Sequence, residues 1–97
     1  MSELLRVEFA DDDLKRLERD RNFSAGLAVE IVRGFRKAMM SIRAAEDTRD
    51  LYRGGLRTEK LKGPRSHHHS IRLNGQWRLI VEIDDPKITI VKIEDYH

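Results

Sequence analysis

Residues 70–78 read Ser-Ile-Arg-Leu-Asn-Gly-Gln-Trp-Arg, and they continue into Leu-Ile-Val-Glu-Ile at residues 79–83. Apolar and polar residues alternate on both sides of Asn74-Gly75, a dipeptide that is typical of the turn in a β-hairpin. The pattern predicts two antiparallel strands, residues 68–73 and 77–83, joined at this turn. The hairpin is the centre from which the rest of the fold is built outward.

The pairing of the two hairpin strands follows from which residues must be buried. Leu73 and Trp77 share the core face only if they lie opposite each other, which leaves a three-residue connection. A two-residue loop would set Arg72 beside Trp77 and turn one strand's apolar side to water. The predicted register therefore sets Arg72 opposite Arg78 on the second face of the sheet. Two like charges in that arrangement are unfavourable. A bound phosphate, which we favour, would relieve the repulsion, and so would splaying of both side chains into solvent.

Upstream of the hairpin, the pattern predicts one strand followed by two helices. Leu5, Val7 and Phe9 alternate with charged residues, as in a half-buried strand. Asp11–Asp13 can supply the cap and the first-turn negative charge of a helix that reaches Asp20. Ser24 can cap a longer second helix, whose core face is an apolar stripe at helical spacing, namely Ala28, Val32, Phe35, Met39 and Ile42.

The remaining strands lie on either side of the hairpin in the chain. Residues 56–61 predict a short strand, Gly63-Pro64 interrupts it, and residues 87–93 predict the last strand after the turn at Asp84-Asp85-Pro86. Together these elements predict an α+β fold, with an N-terminal strand and two helices packed on a twisted antiparallel sheet of about four to five strands. At 97 residues the chain is expected to form a single domain over residues 1–97.

Composition excludes several classes of protein. The chain has no cysteine, so a disulfide framework and a thiolate zinc site are both ruled out. No apolar run approaches the roughly 18 residues of a membrane span. The N-terminus also lacks the apolar core of a secretory signal. We therefore expect a soluble, cytoplasmic protein.

Charge is unevenly distributed along the chain, although the net charge is only +2. Residues 53–78 contain a single acid, Glu59, and seven basic residues, which are Arg53, Arg57, Lys60, Lys62, Arg65, Arg72 and Arg78. A cationic segment of this kind is the electrostatic signature of a polyanion ligand. A solvated, variable face is the alternative interpretation. Charge alone does not choose between RNA, DNA and an acidic protein partner.

The C-terminal residues suggest chemistry on a phosphate. RNA carries its own nucleophile, the 2′-hydroxyl, so its cleavage needs a proton acceptor, a proton donor and positive charge at the phosphate. Asp95 or His97 could move the protons, because histidine titrates near neutral pH, and Tyr96 could stack on a base or donate a hydrogen bond. The positive charge could come from Lys62, Arg65, Arg72 and Arg78. The alternative is that the terminal tyrosine and histidine only finish an edge strand.

Three consecutive histidines, His67–His69, invite a metal interpretation. On a strand, His67 and His69 would project from the same side, with His68 on the reverse. Two imidazoles with no third ligand nearby make an incomplete site. We favour a role for one histidine in holding RNA over a dedicated metal site.

Several of these segments together resemble a known family, the HigB toxins. These are plasmid-maintenance killer proteins within the wider RelE/ParE toxin superfamily. The resemblance is carried by Leu61-Lys62-Gly63, Ser70-Ile71-Arg72, the turn from Asn74 to Trp77-Arg78, and Glu94-Asp95-Tyr96-His97. It is sharp over residues 56–97 and rests mainly on element order before that.

The resemblance implies the toxin of a type II toxin–antitoxin system, with a RelE/ParE-like fold. Such a toxin would be a ribosome-dependent mRNA endonuclease that attacks through the RNA 2′-hydroxyl without a metal or other cofactor, so that translation and growth stop. The implied partners are the 70S ribosome, its mRNA and a HigA-like helix-turn-helix antitoxin. Operator DNA would be contacted only through the antitoxin, and no membrane is involved.

Site residues follow from the same resemblance. The implied catalytic residues are Lys62, Arg78, Asp95, Tyr96 and His97. From the cationic segment and the histidine run we also expect contacts with RNA, at Arg57, Lys60, Arg65, His68 and Arg72. One position departs from the family, because several relatives carry a histidine where this chain has Glu59.

Two alternatives stay open at this point. A ParE-like toxin shares the fold but inhibits a protein target such as DNA gyrase, and a fold alone does not fix function. The second alternative is an RNA-binding relative that has lost catalysis, which is suggested by Glu59.

Overall fold

A computed structural model describes residues 5–53, 56, 58–63 and 68–95 of the chain. The elements run in the order β1 (Arg6–Phe9), α1 (Asp12–Arg19), α2 (Val29–Ala44), a short 3₁₀ helix (Thr48–Tyr52), β2 (Thr58–Lys60), β3 (His68–Arg72), β4 (Trp77–Asp84) and β5 (Lys87–Asp95). The five strands form one sheet in the order β1-β5-β4-β3-β2. The predicted α+β class, with two helices on one sheet, is confirmed.

One edge of the sheet consists of a parallel pair of strands. Strand β1 pairs with β5 in parallel, with Val7 beside Ile88 and Phe9 beside Ile90, whereas the other three strand pairs are antiparallel. The predicted antiparallel sheet is confirmed over β2–β5, and the N-terminal strand β1 joins it as a fifth, parallel strand. A parallel pair needs a long crossover connection. Here the whole chain between β1 and β5, including both helices, provides it.

The hairpin at the centre has the predicted register. Ile71 pairs with Leu79 and Arg72 with Arg78, and the backbone N–H of Leu73 donates to the carbonyl of Trp77 at 2.9 Å. The turn is held by the side chain of Asn74, whose Oδ1 accepts from the backbone N–H groups of residues 76 and 77, each at 2.8 Å. An asparagine that binds the backbone two residues on is a common way to stabilise a turn.

A β-bulge interrupts the pairing of β4 with β5. Val81 pairs with Ile90, but Ile80 pairs with Lys92, so Val91 is an extra residue in β5. Because side chains alternate along a strand, one extra residue exchanges the two faces for everything that follows it. The bulge keeps Ile93 on the core face, where it packs against the buried cluster.

The core lies between the two helices and one face of the sheet. Its fully buried helical side chains include Leu17, Phe35, Met39 and Ile42, and its fully buried strand side chains include Ile71, Leu79, Val81, Ile88 and Ile90. The helical stripe predicted from the sequence is the core face of α2 from Val32 to Ile42, whereas its first member, Ala28, is the exposed N-cap. Among the described residues, no helix combines the length and apolar character needed to cross a bilayer.

The start of α2 differs from the prediction. Helix α2 begins at Val29 with Ala28 as its N-cap, and no side chain caps it. The predicted cap, Ser24, lies four residues earlier, where its carbonyl accepts from the N–H of Leu27 at 2.9 Å. Ala25 and Gly26 have φ angles of 54° and 75°, so the backbone leaves the helical region between Ser24 and Val29.

Two predicted strands have different boundaries. Strand β2 covers Thr58–Lys60, not residues 56–61, and β5 reaches Asp95, not residue 93. A 3₁₀ helix that was not predicted precedes β2. By contrast, the cap of α1 is as predicted, because Asp11 accepts from the backbone N–H of Asp13 at 2.7 Å. Aspartate at this position offsets the partial positive charge of the helix start.

Candidate functional site

The sheet face opposite the helices carries a row of three charged residues on adjacent strands. Arg72 on β3 pairs with Arg78 on β4, which in turn pairs with Glu94 on β5. Residues directly opposite each other in an antiparallel sheet project from the same face. The row therefore places two guanidinium groups and one carboxylate side by side near one end of the sheet.

Arg78 occupies an enclosed position in this row. The residue is only 8% exposed, and its Nε and Nη1 atoms have almost no contact with solvent. On the same face, Ile80 is fully buried and the opposite Ser70 is 2% exposed. Splaying into solvent, the second explanation for the arginine pair, therefore does not apply to Arg78. A guanidinium removed from water interacts more strongly with an anion than an exposed one does.

Glu94 is the residue of this row that the sequence analysis did not select. Its half-buried carboxylate lies 3.2 Å from the ammonium group of Lys92, measured from Oε1 to Nζ. Glu94 reaches the face of Arg78 only because of the bulge at Val91. The sequence indicated this bulge. If the side chains of β5 alternated without a break from Ile88, Lys92 would project from the core face.

Asp95, a predicted catalytic residue, belongs to the other side of the strand. It pairs with Trp77 and accepts a hydrogen bond from Nε2 of Gln76 at 3.1 Å. Adjacent residues of a strand project from opposite faces, so Asp95 and Arg78 do not share one. The end of β5 nevertheless lies directly beside the Trp77-Arg78 segment of β4.

The other predicted residues are distributed around this row. His68 lies on the same face as Arg72 and pairs with Glu82, whereas Lys60 pairs with His69 on the helix-facing side. Lys62 is exposed just beyond the end of β2. Four predicted site residues lie outside the described residues, and these are Arg57, Arg65, Tyr96 and His97.

Glu59, which stands where several relatives in the resembled family carry a histidine, lies on β2. It pairs with Ser70, so it projects from the same sheet face as Arg78. It is exposed at the edge of the sheet and lies two strands away from Arg78. A carboxylate there adds negative charge to the rim of the arginine row.

His69 forms a separate cluster on the helix-facing side. Its Nε2 lies 3.0 Å from the hydroxyl of Tyr52, and the two rings meet edge to face with centroids 5.7 Å apart. Burial lowers the pKa of His69, and the nearby positive charges of Lys60 and His68 lower it further. The neutral imidazole is therefore favoured. The contact was not predictable from local sequence patterns because it joins residues from the 3₁₀ helix and a strand.

No group of three or more histidine, aspartate or glutamate side chains suited to a metal ion occurs within the described ranges. His67, the first residue of the histidine run, lies outside those ranges.

Solved structures that share this architecture include bacterial toxins. The chain superposes on the YoeB–YefM complex from Staphylococcus aureus with a TM-score of 0.60 at 25% identity, covering 96% of this chain and 97% of that one. A YoeB/ParE toxin from Agrobacterium tumefaciens gives a TM-score of 0.60 at 14% identity, covering 96% and 100%. YafQ from E. coli strain BL21(DE3) superposes with a TM-score of 0.60 at 10% identity, covering 94% of this chain and 92% of that one. The last two similarities concern the fold alone, and the fold is that of a RelE-like toxin.

A family model identifies the group more narrowly. The model for the RelE-like toxin of the type II toxin–antitoxin system HigB matches residues 7–97. The chain therefore belongs to the HigB-like family of RelE-like toxins. A comparison with curated protein sequences found no match.

Proposed function

We propose that this toxin is a ribosome-dependent mRNA endonuclease that cleaves by attack of the RNA 2′-hydroxyl on the adjacent phosphate. One observation carries the proposal. The last strand runs beside Trp77-Arg78, so the chain's acidic end and the buried Arg78 occupy neighbouring strands, with Arg72 on the other side. Family membership supports the same reaction.

The chemistry requires no group that this chain lacks. The 2′-oxygen forms a bond to phosphorus while the bond to the 5′-oxygen breaks, which gives a 2′,3′-cyclic phosphate and a free 5′-hydroxyl. One residue must accept the proton of the 2′-hydroxyl and another must donate a proton to the leaving oxygen. We assign one transfer to His97 and the other to the acidic end of β5, where Glu94 shares the face of Arg78 and Asp95 lies on the opposite face. We assign contact with the base or the phosphate to Tyr96.

Arg78 has the central electrostatic role in this proposal. Negative charge on the phosphate oxygens increases as the fifth bond to phosphorus forms, so a positive group stabilises the transition state more than the substrate. A guanidinium offers a planar fork of donors that matches two phosphate oxygens. We assign Lys62 to the same charge stabilisation, and Arg57, Lys60, Arg65, His68 and Arg72 to binding of the RNA strand.

We also propose that a small helix-turn-helix antitoxin of the HigA type neutralises this toxin and represses the shared operon. The similar YoeB toxin forms a complex with YefM. The proposed RNA-binding face of the sheet carries Arg72 and Arg78. An antitoxin with acidic side chains on its contact surface would complement these positive charges. The ribosome and its mRNA are the proposed targets of the free toxin.

The experiment that tests the function maps RNA ends after brief induction of the toxin in growing bacteria. The proposal predicts new 5′-hydroxyl ends within translated regions, matched by 2′,3′-cyclic phosphates on the upstream fragments. Intact mRNA together with DNA-damage signalling would instead favour a protein target such as gyrase. Ribosome binding that weakens with salt but leaves no cut ends would indicate an RNA-binding relative without catalysis.

A further inference from the structure

The carboxylate of Glu94 is the acidic neighbour of Arg78 in the sheet. Arg78 pairs with Arg72 on one side and with Glu94 on the other. Side chains directly opposite each other in an antiparallel sheet begin about 5 Å apart and project from the same face. A phosphate that is bound by Arg78 therefore lies beside the carboxylate of Glu94 as well.

Asp95, the next residue of β5, projects from the other face. It pairs with Trp77, and its Oδ2 accepts from Nε2 of Gln76 at 3.1 Å. Successive side chains of a strand project from opposite faces, so this carboxylate does not share the face of Arg78. Asp95 instead links the end of β5 to the turn that precedes β4. The resemblance to the HigB toxins implied Asp95 as a catalytic residue, whereas the strand register favours Glu94 for that role.

The bulge at Val91 decides which of the two acids faces Arg78. In an unbroken strand their positions would be exchanged, and Asp95 would project beside Arg78. The extra residue keeps Ile93 packed against the core, and it thereby places Glu94 on the face of Arg78. The choice between the two acids is therefore fixed by the packing of the core.

The surroundings of Glu94 suit the transfer of a proton. Its side chain is 24% exposed, so it is partly shielded from water and still open to a ligand. Its Oε1 lies 3.2 Å from Nζ of Lys92, which restricts the position of the carboxylate. A carboxylate can accept several hydrogen bonds, so this contact does not prevent it from taking a proton. At neutral pH a glutamate carboxylate is ionised, which is the form that acts as a base.

Other acidic residues on this face lie further from Arg78. Glu59 is two strands away on β2, which corresponds to roughly 10 Å. Glu82 pairs with His68 and lies four residues along β4, which corresponds to roughly 13 Å. A general base must lie within about 3 Å of the atom whose proton it takes. Of these acids, Glu94 is therefore the one placed to act on a nucleotide whose phosphate is at Arg78.

We propose that Glu94 is the catalytic residue that accepts the proton of the 2′-hydroxyl, and that Asp95 instead anchors the end of β5. This assignment rests on the proposed function, whose reaction it specifies. The 2′-oxygen bonds to phosphorus as its proton passes to Glu94, and the bond from phosphorus to the 5′-oxygen breaks as that oxygen takes a proton from His97. Exchange of protons with water then restores Glu94 and His97.

Single-turnover cleavage of mRNA on programmed ribosomes tests this assignment. Glu94→Gln keeps the size of the side chain but removes the base, so cleavage should slow by about 100-fold or more. Asp95→Asn should slow cleavage by no more than about fivefold, as expected for one weakened hydrogen bond. Glu82→Gln is the matched control, because Glu82 is an exposed glutamate of the same sheet face, and it should cleave as the wild type does.

An mRNA with sulfur in place of the 5′-oxygen at the cleavage site isolates the step assigned to Glu94. The sulfur leaves without needing a proton, so acceptance of the 2′-hydroxyl proton is the transfer that remains. Between pH 6 and pH 8 the wild-type rate should stay level, because a glutamate carboxylate is ionised throughout this range. The Glu94→Gln rate should rise about tenfold per pH unit, because hydroxide must replace the base.

Glu94→Asp distinguishes loss of the base from a structural effect of the substitution. It keeps a carboxylate on a shorter side chain, so cleavage should be slower than in the wild type but level with pH. Thermal melting and ribosome binding should show every variant folded and bound. A Glu94→Gln variant that is slowed but level with pH would overturn the proposal, because the side chain would then only hold Arg78 in place.

Two further results would overturn the assignment to Glu94 while leaving the nuclease. One is a Glu94→Gln variant that cleaves as fast as Glu82→Gln. The other is a rate that rises with pH in Asp95→Asn or in Glu59→Gln instead. A wild type that leaves ribosome-bound mRNA intact would contradict the nuclease and Glu94 together, so the failures of the two proposals are distinguishable.

Discussion

Arg72 and Arg78 lie opposite each other at a cost to stability. Side chains in such a pair begin about 5 Å apart, and like charges placed directly opposite each other are destabilising. Arg72 is exposed and can turn away, but Arg78 is buried. Glu94 offsets part of the repulsion, and a bound phosphate would offset more.

Replacing Arg72 should therefore separate stability from binding. Arg72→Gln removes the repulsion, so we expect the free energy of unfolding to rise by about 0.5 kcal/mol while affinity for RNA falls. Urea denaturation and anisotropy with an RNA oligonucleotide measure the two effects. Arg33→Gln is the control, since Arg33 is exposed on α2. Equal behaviour of the two variants would show that the arginine pair carries no special repulsion.

His69 should make folding stability depend on pH. Because burial holds its pKa below the ordinary value, the unfolded chain binds more protons than the folded chain at mildly acidic pH, and stability rises with pH. The contribution is present above the unfolded pKa, near 6.5, and is lost as the pH falls below it. Comparing wild type with His69→Gln by urea denaturation between pH 7 and pH 5 should show a smaller decrease in the variant.

Tyr52→Phe is the control for this effect. It keeps the aromatic ring but removes the hydroxyl that lies 3.0 Å from His69. We expect a loss of about 1 kcal/mol with the pH dependence retained. If the free energy of unfolding depended on pH identically in the wild type and in His69→Gln, His69 would not be the source of the pH dependence.

At the scale of residues, alternation in the hairpin was enough to predict that Arg72 faces Arg78. Simple alternation alone did not place the acidic end of the chain. The bulge at Val91 puts Glu94 and Asp95 on the faces opposite those of an unbroken strand, and the sequence indicated it only through Lys92, which unbroken alternation would have put on the core face. The Tyr52–His69 contact depends on how two separate elements pack.

Among the secondary-structure elements, α2 comes close at Gly34 to the backbone of Leu73, the residue after β3. Gly34→Ala would bring the new Cβ within 2.7 Å of the Leu73 carbonyl oxygen, so the helix or strand must move. We expect a loss of about 1–3 kcal/mol in the free energy of unfolding, even though alanine favours helix formation. Gly75→Ala is the control, because a Cβ there meets no atom within 4 Å. Urea denaturation of the two variants checks the prediction.

Arg36 joins the two helices through the backbone of α1. Its Nε donates to the carbonyl of Leu17 at 3.1 Å, and its Nη2 donates to the carbonyls of Asp20 and Phe23 at 3.0 and 3.1 Å. The guanidinium thus satisfies carbonyls at the end of α1, where the helix itself offers no partner.

Arg36→Met should destabilise the protein by roughly 2 kcal/mol, because charged hydrogen bonds are lost and carbonyls are left without their donor. Arg33→Met changes the same residue type one turn earlier on the exposed side of α2, and it should be nearly neutral. Thermal and urea denaturation give the comparison. Equal stability of the two variants would show that Arg36 does not hold the end of α1.

Secondary structure itself was predictable where periodicity was strong. The core face of α2, the cap of α1 and the central hairpin all follow from local patterns. The start of α2 and the parallel pairing of β1 were not predictable in the same way. The first depends on the positive φ angles of Ala25 and Gly26, and the second on where the final strand docks.

For the whole molecule, the order of the strands is what assembles the candidate site. Strand β5 lies between β1 and β4, so the last strand of the domain becomes an inner strand of the sheet. This position sets its acidic end beside Arg78 and leaves the helices on the opposite face. The cationic segment predicted from sequence is thereby divided, with Arg72 and Arg78 on one face and Lys60 on the other.

The rate of a single round of mRNA cleavage on programmed ribosomes is the most direct test of Arg78 as the group that stabilises the phosphate. Arg78→Lys keeps the charge but loses the planar fork of donors, and it should slow cleavage by about 100-fold while mRNA binding and the melting temperature change little. An mRNA with a single 2′-deoxy group at the cleavage position should not be cut by the wild type. Cleavage of that deoxy mRNA, or an Arg78→Lys variant as fast as the wild type, would contradict the account.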